Sequence, residues 1–71
     1  MNIVELFTYF DKKATEDKRT KFLPVDESNE IIDKAVHLAF ELKRRDCKEY
    51  EHLTDEQLMS EAWEIVVETY T

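Results

Sequence analysis

The sequence predicts an all-α fold of three helices, over residues 3–14, 27–47 and 54–70, forming one small domain across residues 1–71. Three observations predict it. Glycine is absent and proline occurs once, so tight hairpin turns and Gly-rich phosphate loops lack their usual residues. Apolar side chains recur at three- and four-residue spacing in each segment. A complete helix-start signal stands at Thr54.

The first helix follows from IVELFTYFDKKA, which sets Ile3, Leu6, Phe7, Phe10 and Ala14 on one face. The adjacent apolar pairs Ile3-Val4 and Leu6-Phe7 break the alternation a strand would need. Lys12 and Lys13 fall near the helix end, where cations suit the dipole. From Thr15 to Lys21 no apolar residue occurs, and the stretch reads as a solvated connection. Phe22, Leu23 and Val25 follow around Pro24, which pushes Leu23 toward extended backbone. They read as a loop that plugs the core.

The second helix is expected to start at Asp26 or Ser28, with Glu27 and Glu30 near its positive end. Its apolar residues are Ile31, Ile32, Ala35, Val36, Leu38, Ala39, Phe40 and Leu42. They spread over about 200° of the circumference, wider than a one-sided surface helix needs. Lys43, Arg44, Arg45 and Lys48 gather at its far end. The turn that follows offers Tyr50 and Leu53 to close the core.

The third helix has the clearest start. Thr54 and Gln57 form a capping box, Leu53 and Leu58 a hydrophobic staple, and Asp55 and Glu56 occupy the first turn. Leu58, Ala62, Ile65 and Val66 centre its apolar arc, flanked by Met59, Trp63, Val67 and Tyr70. Towards its end Trp63, Ile65, Val67 and Thr69 alternate with Glu64 and Glu68, a pattern a strand shares. The helical period running on from the cap outweighs it.

A chain of 71 residues buries only about 60% of the surface its unfolded form exposes. Cores of this size supply about 3–5 kcal/mol, so small domains commonly recruit a disulfide, a metal or a partner. Cys47 is the single cysteine, which rules out an internal disulfide and suits a reducing cytoplasm. The apolar start, MNIVELFTYF, lacks the basic leader and the small-residue cleavage site of a signal peptide. No apolar run approaches the roughly 20 residues a bilayer span needs. The expectation is a soluble cytoplasmic protein.

Seventeen acidic against ten basic residues leave a net charge of −7. Nucleic acid and anionic membranes would repel such a chain, whereas a basic protein surface would attract it. The asymmetry peaks in the last helix. Asp55, Glu56, Glu61, Glu64 and Glu68 stand there with no lysine or arginine from Thr54 to Thr71. Glu61, Glu64 and Glu68 form a stripe whose axial spacing of about 4.5–6 Å approaches that of phosphates along a strand. That suggests an inhibitor imitating DNA on a nucleic-acid-binding protein.

Other constellations are weaker. Asp33, His37 and Glu41 share a face at one-turn spacing, yet no cysteine or second histidine completes a metal site, and a surface histidine between carboxylates is commonly a solvated ion-pair neighbour. His52 has no better company. The basic run Lys43-Arg44-Arg45 with Lys48 is cancelled by Glu41, Asp46, Glu49 and Glu51 as a nucleic-acid patch. No catalytic residue, cofactor or metal ligand is expected.

The two wide arcs matter more. Three short helices are not expected to hide them, which leaves Val36, Phe40, Trp63, Val67 and Tyr70 as an apolar edge for a partner or a second copy. The sequence therefore points to a non-enzymatic interaction module, a regulator or inhibitor masking a basic surface of a partner protein. The alternative is a structural helical homodimer, or accessory subunit, whose acidity serves solubility.

Overall fold

A computed structural model describes residues 2–44 and 52–70 of the chain. Among them are three α-helices and no strand: α1 (Ile3–Glu16), α2 (Val25–Arg44) and α3 (Asp55–Tyr70). The expected end of the second helix at 45–47, with Cys47, Lys48 and Tyr50, lies outside the described residues. No helix among them is long and apolar enough to cross a membrane.

Asn2 starts α1 by accepting a hydrogen bond from the Glu5 N–H on its side-chain oxygen, at 2.9 Å. The helix buries Leu6, Phe10 and Ala14, a stripe of i, i+4 and i+8. This corrects the wider face read from sequence. Ile3 and Phe7 sit on its flank and remain 52% and 41% exposed. One stripe of three suffices because Phe10 is large and fully buried.

Beyond Glu16 the chain turns back through residues 17–24. The Asp17 carbonyl accepts from the Thr20 and Lys21 N–H groups, and the Thr20 carbonyl from Leu23 N–H. Thr20 is buried and its hydroxyl donates to the Ala14 carbonyl at 2.9 Å, closing one of the free carbonyls at the end of α1. The connection is largely solvated, as expected, but it is also a folded turn, with Thr20 buried and Asp17 half-buried. The expected plug is also corrected. Only Leu23 packs on the core, while Phe22 and Val25 are among the most exposed apolar residues described. The reason lies in Pro24: its carbonyl accepts from Ser28 N–H, so α2 begins at Val25, two residues before the expected start. That puts Val25 on the first, outward turn. Phe22 is left in solvent with the Lys21 ammonium 4.9 Å from its ring centre.

Most of the wide arc of α2 finds cover: Ile31, Ile32, Ala35, Val36, Ala39 and Leu42 are buried, Leu38 is half-buried and Phe40 stays exposed. α3 starts as its sequence says: Gln57 N–H donates to Thr54 Oγ1 and Thr54 N–H to Gln57 Oε1, at 3.2 and 3.0 Å. Leu58 is buried and Leu53 packs beside the same core. The helix continues to Tyr70, with Thr69 Oγ1 donating to the Ile65 carbonyl, so the strand alternative is excluded.

Two cross-links orient α2 against α3. Lys43 meets Asp55 at one end, and Tyr70 lies near Glu27 and Glu30 at the other; the two helices run antiparallel. α1 closes on both, and Phe10 stacks on Trp63 with centroids 6.0 Å apart and planes at 20°. The shortest Cα extent is 16 Å, the depth of two helix layers at the usual 8–10 Å spacing. Each helix thus keeps an outward side.

Candidate functional site

Five residues were expected to form an apolar edge, and three of them are in the core. Val36, Trp63 and Val67 are buried, Tyr70 is half-buried and Phe40 is the most open of the set. The second layer supplied by α1 covers the arcs of α2 and α3. Trp63 is closed in by Phe10 on its ring and by Asp17 on its polar edge, where the indole N–H donates to Asp17 Oδ2 at 2.9 Å.

Asp17 is the hub of this polar clasp. Its Oδ1 accepts from the Arg19 backbone N–H and Nε, and its Oδ2 from Arg19 Nη2 at 2.7 Å as well as from Trp63. Arg19 Nη2 also donates to both oxygens of Glu64 at 3.0 Å. The Arg19 guanidinium holds the Asp17 carboxyl well below the usual carboxylate range, against an opposing desolvation effect, with the Arg19 N–H and the Trp63 indole adding to it. Trp63 and Glu64 stand out in the sequence, but Asp17 and Arg19 lie in the polar stretch from Thr15 to Lys21, where no apolar residue marks them. An aspartate just past a helix, with a threonine three residues on, was the signal available.

The acidic stripe on α3 is only partly uncompensated. Glu61, Glu64 and Glu68 are exposed; Glu56, also exposed, lines a cleft against Tyr9, Lys12, Lys13 and Glu16 of α1. Yet Glu64 is engaged by Arg19, and Asp55 by Lys43 at 2.7 Å, an ion pair that lowers the Asp55 pKa. Cations from elsewhere in the fold reach the stripe, which a count along one helix does not reveal. At the end of α3, burial and then the Glu27 and Glu30 carboxylates raise the Tyr70 pKa.

Besides Phe40, and Phe22 and Val25 around the start of α2, the exposed large apolar residues described lie on α1. Ile3 and Val4 stand out from the first turn of α1, with Val4 70% exposed, and Phe7 follows one turn on from Ile3. Phe7 opens into a groove between α1 and α2 of about 550 Å³, lined by Phe7, Thr8, Asp11, Asn29, Ile32 and Asp33. A smaller cleft of about 260 Å³ lies between α2 and α3, lined by Lys34, Leu38, Ile65, Val66, Thr69 and Tyr70.

The chain matches no family model, no curated protein and no solved structure.

Asp33 pairs with His37 at 3.6 Å, both side chains largely in solvent. That geometry gives the imidazole no enclosed environment in which to exchange a proton with a bound group. Among the described residues no group of three histidine, cysteine, aspartate or glutamate side chains is placed to hold a metal ion. Every buried side-chain nitrogen or oxygen among them has a hydrogen-bond partner. The exposed surface carries apolar side chains and carboxylates.

Proposed function

We propose that the protein is a non-enzymatic interaction module that acts by covering a basic surface of a partner protein. One observation carries the reading: an acidic chain with a filled core still holds Ile3, Val4 and Phe7 outside it on one helix. Apolar contact would supply affinity and the surplus of carboxylates would steer encounter and choose the sign of the partner. A regulator or inhibitor working by masking fits this chemistry, in the reducing cytoplasm that a lone cysteine suits. The narrower form, in which α3 imitates a line of phosphates, draws less support now that Arg19 and Lys43 occupy two of its carboxylates. Self-association is the weaker alternative, since each copy brings a charge of −7.

The test is capture from lysate on the immobilised full chain, at low and high salt, with the captured proteins identified. Basic proteins should be retained at low salt, released at high salt, and absent when Ile3→Ser and Val4→Ser are combined. A captured set with no basic bias would defeat the proposal. So would an unchanged set with the double variant, or a stable dimer that captures nothing.

A further inference from the structure

The α1–α2 groove deepens that reading, on which it rests, by naming a place and a shape of partner. Its apolar lining is Phe7 on one helix and Ile32 on the other, with the neutral polar side chains of Thr8 and Asn29 beside them. Its edges are acidic. Asp11 follows Phe7 by one turn on α1, and Asp33 lies beside Ile32 on α2.

No lysine or arginine lines it. The nearest cations in sequence face other clefts: Lys12 lines the one that α1 shares with Glu56, and Lys34 the one between α2 and α3, its ammonium 3.4 Å from Glu30. The His37 imidazole lies 3.6 Å from the Asp33 carboxylate. The apolar line continues out of the groove through Ile3, one turn before Phe7.

An open trough between two helices, given an apolar side chain by each and edged by like charges, suits a third helix laid along it. Side chains one turn apart on that helix would meet Phe7 and Ile32, and its flanking cations would meet Asp11 and Asp33. A second copy of this chain fits badly, because two-fold pairing of the same patch opposes carboxylate to carboxylate. We propose that this groove, lined by Phe7 and Ile32 and edged by Asp11 and Asp33, docks one cationic amphipathic helix of a partner protein.

The probe is a labelled 14-residue peptide of leucine and lysine patterned at the helical period, with a leucine–glutamate peptide as its counterpart. Affinity is read by fluorescence anisotropy on the full chain, and location by amide chemical shifts. The lysine peptide should bind one to one and shift amides along Phe7–Asp11 and Asn29–Asp33. Phe7→Ser should weaken it by about tenfold or more. Asp11→Asn with Asp33→Asn should weaken it several-fold at low salt and little at high salt. Phe7 is partly exposed and both aspartates lie at the surface, so circular dichroism should confirm that the variants fold.

Shifts gathered on Glu61 and Glu64 instead would overturn the groove and leave the basic-partner reading standing. Failure of the lysine peptide to bind anywhere would overturn both. Equal binding of the glutamate peptide would remove the charge argument and the groove proposal with it. A dimer abolished by Phe7→Ser would assign the groove to a second copy.

Discussion

Asp17→Ala tests whether a polar turn, and not apolar area alone, keeps Trp63 inside. The carboxylate is only 14% exposed and receives the indole N–H of a tryptophan that is 2% exposed. Removing it leaves that donor buried and unpaired, which costs about 1–3 kcal/mol. The Arg19 side of the network adds little, since its side chain is more than a third exposed and the ion pair is screened by solvent. We take about 2 kcal/mol, set against the total of about 3–5 kcal/mol that a core of this size supplies. In a chain this small that lowers Tm by about 8–16 °C. Thermal unfolding followed by circular dichroism measures it, and Trp63, the single tryptophan, reports its own environment by fluorescence. Asp17→Asn keeps an acceptor and should lose less. The pH dependence has a definite sign. The folded carboxyl titrates well below its unfolded value, so its contribution is complete above about pH 4 and is lost as pH falls towards the folded pKa. The gap between wild type and Asp17→Ala should hold from pH 5 to 8 (about the plateau of carboxylate ionisation) and narrow in stronger acid. A Tm within about 2 °C of wild type, with an unshifted Trp63 emission, would refute the reasoning.

Thr20→Val keeps the volume but strips the Ala14 carbonyl of its side-chain donor, and should lower stability by about 1–2 kcal/mol; urea titration should show a lower midpoint with an unchanged slope. Phe10→Ala removes the ring stacked on Trp63 and should cost about 3–5 kcal/mol. That approaches the whole stability of so small a core, so the far-UV helical signal at 25 °C (about room temperature) should be largely lost. Thr54→Ala opens the capping box at the start of α3 and should cost about 1 kcal/mol, read as a drop in Tm.

Much of the fold was legible because its signals are local. The Thr54–Gln57 box gave the start of α3 to the residue, and the three- and four-residue spacing gave all three helices. What failed was rotation and cover. On α1 the stripes Leu6–Phe10–Ala14 and Ile3–Phe7 are equally helical, and only the position of α2 and α3 decides that the first is buried. The arcs of α2 and α3 looked too wide because sequence does not show that α1 caps them both. The edge proposed from Val36, Trp63 and Val67 then vanished into the core.

The same cover explains where apolar side chains stay exposed. In a two-layer arrangement of three helices, whichever helix caps the other two has its inner side committed and its outer side bare. α1 is that helix. Its inner stripe is fixed by Phe10 against Trp63 and by the Asp17 turn that seals the indole, so apolar residues beyond that stripe have nowhere to go but out. Ile3, Val4 and Phe7 are these residues. Their replacement by serine should leave the clasp and the stacked rings intact, because none takes part in either. Residues that stabilise the fold and residues available to a partner are thus separable on a single helix. This lets the loss of a partner be told apart from the loss of the fold.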